Sequence, residues 1–328
     1  MILAGDIGGT SSRLALFEVR DGKLAAVHEQ TYPSAQYPGL APIVAEFRRT
    51  RDAPLSAACF GVAGPIRDGR VKTTSLPWIV DAAELARGVG LDRAFLINDL
   101  EANAYGIAVL EPGDFFTLQE GRADPKGNAC VVSAGTGLGE AGMVWDGTRH
   151  IPFACEGGHT DFGPRDHLEV GLLEHLRAKY GHVSYERIVS GPGLLNIYEF
   201  LRDTGWGGEL SAVTAQMREQ DPSSVISRFG LNGECPMCVQ ALDMFISLFG
   251  AEAGNAALKF MATAGVYLGG GIAPKIIDKL NGPTFTAAFN TKGRMRPLME
   301  ATPVRVILNP KTALIGAARY AALQAGEM

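Results

Sequence analysis

The sequence predicts an α/β protein in two related halves, each built on a mixed sheet flanked by helices. Three observations predict this. The chain opens on hairpin-connected strands and then alternates short strands with helical patterns, the grammar of a mixed sheet rather than of a bundle or a sandwich. The opening pattern returns 125 positions later, where Asp146-Gly147 repeats the strand-ending role of Asp21-Gly22. Glycine is in excess, 41 of 328 residues, about an eighth against a usual ~7%. It shows no collagen-like period, so the excess belongs to turns.

Each element follows from its residues. Residues 2–4 form a short apolar strand, Gly8-Gly9 a turn, residues 13–19 a buried strand, Asp21-Gly22 a hairpin turn and residues 24–31 the return strand. Asp81-x-x-Glu84 reads as a capping box that opens a helix stopping at Gly88. Residues 94–97 form a strand that leads straight into a helix over 99–110. In the second half, residues 129–132 are a strand, Gly135 to Gly139 a turn, and 143–145 a strand ending at Asp146-Gly147. Helical spacing then predicts helices over 168–179 and 238–264, and an Ala-rich helix over 312–323 after a strand at 304–308. The boundary between halves falls near Glu111-Pro112-Gly113.

Composition bounds the function. Apolar residues make up 46% and charged residues 20%, enough apolar material for a packed core. The 30 Lys and Arg against 35 Asp and Glu give a net charge of −5, which argues against a nucleic-acid or anionic-membrane surface. The opening MILAGDIGGT lacks a basic n-region, so no signal peptide is expected. Residues 260–274 are uncharged but too short for a membrane span and carry four glycines. The five cysteines, Cys59, Cys130, Cys155, Cys235 and Cys238, fit a reducing compartment better than a disulfide framework.

Three glycine clusters each follow an apolar strand: Asp6-Ile-Gly-Gly-Thr10, Ser133-Ala-Gly-Thr-Gly-Leu-Gly139 and Leu268-Gly-Gly-Gly-Ile272. Glycine lets backbone N–H groups approach an anion with no Cβ in the way. Thr10 and Thr136 add hydroxyl donors. Asp6 adds a carboxylate able to orient a hydrated Mg²⁺. A Walker A sequence is absent, which excludes a P-loop NTPase. Gly137-Leu-Gly139-Glu-Ala-Gly142 satisfies G-x-G-x-x-G, but a strand and hairpin follow it where a dinucleotide fold needs a helix.

These clusters resemble the two phosphate loops and the adenosine loop of the actin-like sugar-kinase superfamily. Ile97-Asn-Asp99, Glu156-Gly-Gly-His-Thr-Asp-Phe162 and His182-Val-Ser-Tyr-Glu-Arg-Ile-Val-Ser-Gly-Pro-Gly193 further resemble bacterial glucokinases of the proteobacterial type, in that family's order and over essentially the whole chain. The resemblance implies a two-domain actin-like (ribonuclease H-like) fold. Residues 1–109 with 310–328 would form the small domain and 110–309 the large one, with the active-site cleft between them. It implies that Asp99 is the catalytic base toward a sugar 6-hydroxyl, and that Asn98, Asp99, Glu156, His159 and Glu186 bind the sugar. A carboxylate accepts from two hydroxyls in rigid geometry, and a missing hydroxyl would leave it unpaired. Gly157-Gly158 would let Glu156 and His159 turn toward one ligand.

ATP would lie on Asp6, Ile7, Gly8, Gly9, Thr10, Ser11, Gly135, Thr136, Gly137, Gly269, Gly270 and Gly271. Mg²⁺ would be carried by ATP and reached by Asp6 through water. The expected partners are glucose and ATP alone, with no nucleic acid and no membrane, in a cytoplasmic homodimer. Two residues depart from the family pattern: Ser11 stands where asparagine is usual, and Glu140 where an apolar residue is usual. A carboxylate beside a triphosphate is unfavourable unless its side chain points away. Cys155 stands alone and Cys235-Pro-Met-Cys238 has no second pair or nearby histidine, so neither predicts zinc. The rival readings are a kinase for another hexose, a polyphosphate-dependent kinase, a non-kinase actin-like ATPase and a sugar-responsive transcription factor. The last would need a DNA-binding module ahead of Asp6.

Overall fold

The structure, a computed structural model, describes residues 1–74 and 76–328. In chain order the first elements are β1 (Ile2–Ile7), β2 (Ser11–Arg20), β3 (Lys23–Pro33), α1 (Leu40–Thr50), β4 (Ala57–Val62), β5 (Arg70–Lys72), β6 (Ile79–Asp81), α2 (Ala82–Val89), β7 (Phe95–Asn98) and α3 (Asp99–Ile107). There follow β8 (Phe115–Gln119), β9 (Ala129–Ala134), β10 (Leu138–Trp145), β11 (His150–Cys155), α4 (His167–Tyr180), α5 (Gly191–Asp203), α6 (Ser211–Met217), α7 (Pro222–Leu231) and α8 (Pro236–Phe260). The last are β12 (Gly265–Gly269), α9 (Ile277–Leu280), α10 (Pro283–Asn290), α11 (Arg296–Ala301), β13 (Val304–Ile307) and α12 (Thr312–Gln324). The chain forms two compact units. One holds Met1–Asp114, His150–Ala154 and Asn309–Met328, the other Phe115–Arg149 and Cys155–Leu308. Among the described residues no helix is long and apolar enough to cross a membrane.

The first unit's sheet has the order β3-β2-β1-β4-β7, with β1 antiparallel to β2 and parallel to β4, and β4 parallel to β7. Strand residues alternate between faces. Leu3, Ile7, Leu14, Leu16, Ala58, Phe60 and Val62 pack with the residues of α1 and α2. Ile2, Ala4, Ala15, Phe17, Ala57 and Cys59 pack with α3 and α12. Both faces are covered, which is why β1 and β4 read as continuous apolar runs rather than as half-polar strands. On the second face α3 and α12 meet backbone to backbone. A Cβ at Gly316 would lie 1.7 Å from the Ala102 carbonyl oxygen, and one at Gly106 would lie 2.1 Å from that of Thr312.

In the second unit β10, β9, β12, β13 and β8 are neighbours in that order. β10 runs antiparallel to β9, β9 parallel to β12, and β12 parallel to β13. This antiparallel, parallel, parallel series repeats that of β2-β1-β4-β7, so the related halves expected from the hairpin grammar are a repeat of strand order. The two Asp-Gly turns themselves differ. Asp21 and Gly22 both have positive φ (50° and 71°), a two-residue hairpin turn. Asp146 instead accepts from the Thr148 and Arg149 amides in a wider loop.

Helix ends depart from the sequence reading in explicable ways. α2 runs through Gly88 and stops at Gly90, whose φ of 74° supplies the left-handed cap. Its start is as expected, with the Asp81 carboxylate accepting from the Ala83 and Glu84 amides. α3 ends at Ile107 rather than 110. α8 begins at Pro236, capped by the Cys235 sulfur, which accepts from the Cys238 amide, and ends at Phe260, with Met261 in the left-handed region as its C-cap.

Candidate active site

In the first unit the parallel strands end in register: Ile7 pairs with Val62, and Val62 with Asn98. The loop after β1 and the start of α3 thus share the carboxyl edge of the sheet, the edge on which open α/β sheets bind ligands. β1 and β7 are two strands apart, about 10 Å. The loop is tied down by Gly8 N–H donating to the Ser11 carbonyl (3.0 Å), Ser34 N–H to the Thr10 carbonyl (3.1 Å) and Ser34 Oγ–H to the Gly8 carbonyl (2.8 Å). Ser11 therefore closes the turn through its backbone. The Ile7 side chain is core, leaving only its backbone to a ligand, whereas Thr10 is exposed at the tip.

Asp6 sits opposite Arg13 in the β1–β2 register. Burial pushes its carboxyl upward, and the Arg13 guanidinium opposes that shift. A carboxylate short of solvation at a glycine turn fits a hydrated divalent cation nearby, since added positive charge would hold it ionised. Among the described residues no cluster of three or more His, Cys, Asp or Glu side chains could hold a metal by itself.

Asn98 is the N-cap of α3. Its Oδ1 accepts from Leu100 N–H at 2.9 Å and Glu101 N–H at 3.4 Å, while its Nδ2 lies 3.5 Å from the Gly64 carbonyl. The cap of α3 is thus supplied by Asn98 rather than by Asp99. Asp99 is half-buried in the first helical turn, with Oδ1 accepting from Leu100 N–H at 3.0 Å.

The second unit gathers the other motif residues. The turn between β9 and β10 is confined to Gly135–Gly137, because Leu138 and Gly139 already pair with Ala134 and Ser133. Gly269 is in register with Ser133 on the parallel β12. Gly270 (φ 82°) follows so closely that a Cβ there would lie 2.2 Å from the Ala134 carbonyl oxygen. Two glycine loops therefore meet at one sheet edge. On the other flank, Glu186 accepts from Leu138 N–H at 3.0 Å, and its carboxylate lies where a Gly137 Cβ would project. His159 lies between two carboxylates, Nδ1 4.0 Å from Glu186 and Nε2 3.9 Å from Glu156. All three remain partly exposed, with 62%, 59% and 31% of the Glu156, His159 and Glu186 side chains accessible.

The local chain explains this convergence. Glu156 to His159 form a single turn after β11, stitched to the Tyr185 turn by Tyr185 N–H donating to Thr160 O (3.1 Å) and Phe162 N–H to Val183 O (2.9 Å). Gly157 and Gly158 serve close approach rather than unusual φ. A Cβ at Gly158 would lie 2.0 Å from the Leu138 carbonyl oxygen, and one at Gly157 2.0 Å from Glu140 Oε2. Glu140 is buried, with its carboxyl against Gly157. Sequence reading missed the Leu138 amide as the partner of Glu186 and the polar network beneath Glu140. Cys155 donates to the Glu140 carbonyl, and Cys235 and Cys238 are buried free thiols at a helix start.

A family model described as Glucokinase matches residues 3–324. The glucokinase of Nostoc punctiforme is 41% identical, over 98% of this chain and 99% of that protein. The crystal structure of a glucokinase from an Antarctic psychrotroph matches with a TM-score of 0.85 at 31% identity, covering 98% of each chain. A ROK family glucokinase from Streptomyces griseus, crystallised with glucose and AMPPNP, matches at 0.67 and 20% identity over 98% of this chain and 99% of that one, a likeness of fold. The fold is of the actin-like sugar-kinase type, and the chain belongs to the glucokinase family.

Proposed function

We propose that this protein is an ATP-dependent hexose kinase that transfers the γ-phosphoryl group of ATP to the 6-hydroxyl of D-glucose, giving glucose 6-phosphate and ADP. The observation that carries the reading is the second-unit cluster: His159 set between Glu156 and Glu186, with Glu186 bonded to the amide that follows the Gly135–Gly137 loop. Two carboxylates and an imidazole 4 Å apart offer acceptors and a donor for adjacent hydroxyls of a pyranose. The Streptomyces protein's complex with glucose and a nucleotide analogue supports the same pairing of ligands here.

The chain's own residues supply positioning and charge. Glu156, His159 and Glu186 hold the hexose, with Asn98 Nδ2 a further donor. Asp99 accepts the 6-hydroxyl proton as the new oxygen–phosphorus bond forms and the bond to the ADP oxygen breaks. The backbone of Gly8–Ser11 and Gly135–Gly137 receives the phosphates, and Gly269–Gly271 the adenosine. Mg²⁺ bound to the nucleotide would spread the charge of the transferring group, with Asp6 orienting one of its waters. The protein further acts as a homodimer in the cytoplasm; sedimentation analysis checks the first and cell fractionation the second.

The test is Asp99→Asn, assayed with glucose and ATP and with a panel of other hexoses and polyphosphate. Turnover should fall by about 10²- to 10⁴-fold, while glucose binding persists. Near-normal turnover would remove Asp99 as the base, and preference for another sugar or donor would replace the substrate assignment.

A further inference from the structure

Beneath the sugar cluster lies a buried polar network that the reaction scheme does not use. Glu140 of β10 is 1% exposed and Glu252 of α8 is fully buried. Neither Glu140 oxygen receives an N–H or O–H donor from the described residues. The carboxyl that acts on it is that of Glu252, which pushes the Glu140 carboxyl up, and two buried carboxyls close together are held most cheaply when one carries a proton. Glu252 in turn accepts from Asn255 Nδ2 at 2.8 Å and Lys259 Nζ at 3.3 Å. Asn255 Nδ2 also reaches the hydroxyl of Tyr185 at 2.9 Å, the residue just before Glu186. At the other end, the Cα of Gly157 rests directly on the Glu140 carboxyl. One chain of groups on α8 therefore underlies both turns that carry the hexose ligands.

We propose that Glu140 is a positioning residue of the sugar cluster, its carboxyl sharing one proton with Glu252 and forming the floor on which the Glu156–His159 turn is set. This rests on the reading of Glu156, His159 and Glu186 as glucose ligands. Burial and Glu252 push the Glu140 carboxyl up to about 8, with Lys259 opposing. The groups facing the pair are Glu252 and Lys259 from α8, Cys130 from β9 and Cys155 at the end of β11, with Lys292, Arg165 and Tyr185 on the Glu252 side. Burial holds both thiols neutral by raising them. Below about 8 the proton is in place. Above it Glu140 is a buried carboxylate repelled by Glu252, and the Glu156–His159 turn rests on it through Gly157.

Glucose binding measured by calorimetry without ATP, across neutral to alkaline pH, tests this in the wild type and in E140Q, E140A, E156Q and H159A. The wild-type Kd should rise by about fivefold or more as pH passes through the Glu140 titration near 8. In E140Q, whose amide keeps the size and donates to Glu252, the neutral Kd should stay within about threefold and the alkaline rise should vanish. In E140A the neutral Kd should rise about tenfold, with the KM for ATP little changed. A rise that persists in E140Q belongs to Lys292, which burial lowers to about 8, and overturns the proposal. So does an E140A Kd close to wild type. Should E140A fail to fold, the E140Q profile decides. If E156Q and H159A leave glucose binding intact, the sugar cluster itself is misassigned; if they weaken it while the Glu140 variants do not, only the positioning role fails.

Discussion

Replacing Glu186 by glutamine removes one negative charge and leaves the side chain the same size. The glutamine oxygen can keep the bond from Leu138 N–H, which measures 3.0 Å in the native protein. Its amide nitrogen must then face the side now occupied by Oε1, 4.0 Å from His159. A hexose hydroxyl that donated to the carboxylate there meets a donor instead. A hydrogen bond to a charged acceptor is worth about 1.5–3 kcal/mol, so the KM for glucose should rise about 10- to 150-fold. The phosphate loops are untouched, so kcat and the KM for ATP should move by less than about threefold, the signature of lost ground-state binding. Initial rates at varied glucose and fixed saturating ATP measure the first quantity, and the converse series the second. Glu186→Ala is the structural control, because it also strips the acceptor from Leu138 N–H and should lower the melting temperature. A glucose KM within about twofold of wild type in E186Q would refute the assignment, as would an equal rise for ATP.

Two further outcomes concern the scaffold. Gly316→Ala inserts a methyl group 1.7 Å from a backbone oxygen of α3, a clash that no rotamer relieves. Overpacking of this kind costs about 1–3 kcal/mol, so thermal unfolding should shift down by about 5 °C or more, whereas Gly22→Ala at the open hairpin tip meets no atom within 4 Å and tests φ alone. Asp146 is held down to about 2 by the Arg149 amide, the Thr148 hydroxyl and the Thr148 amide. A depressed carboxyl stabilises the fold above its ordinary range and loses that contribution as pH falls through the native value. Acid unfolding of Asp146→Asn should therefore depend less on pH between about 4 and 2 than wild type, and identical acid profiles would sink that account.

Much of the local structure around the candidate site was legible because neighbouring residues set it. Glycine at Gly8, Gly135 and Gly270 marks places where backbone must turn or touch backbone, and the neighbouring strands are apolar enough to identify by eye. Asp81 caps the helix it precedes, as short polar side chains do. What remained out of reach depends on distant partners. Gly157 and Gly158 read as flexible linkers for two side chains, yet each is glycine because Glu140 or Leu138 lies against it. Glu140 looked like a hazard to a phosphate because nothing in its own neighbourhood announces Glu252, more than a hundred residues downstream. Helix ends moved for a related reason: Gly88 has an ordinary helical conformation, and the cap falls to Gly90 because Gly90 adopts the left-handed one.

The pairing of α3 with α12 has a consequence for biosynthesis. Arg319 bonds to the carbonyl of Tyr105, 214 positions earlier, and α12 covers the face of the first sheet that exposes Ile2, Ala4, Ala57 and Cys59. During translation the part of that face covered by α12 stays open until the ribosome has delivered the intervening Phe115–Leu308 segment, which contains the whole of the other unit. The N-terminal strands thus emerge first and are completed last, leaving an apolar sheet waiting for its lid, a natural target for chaperones and for premature association between nascent chains.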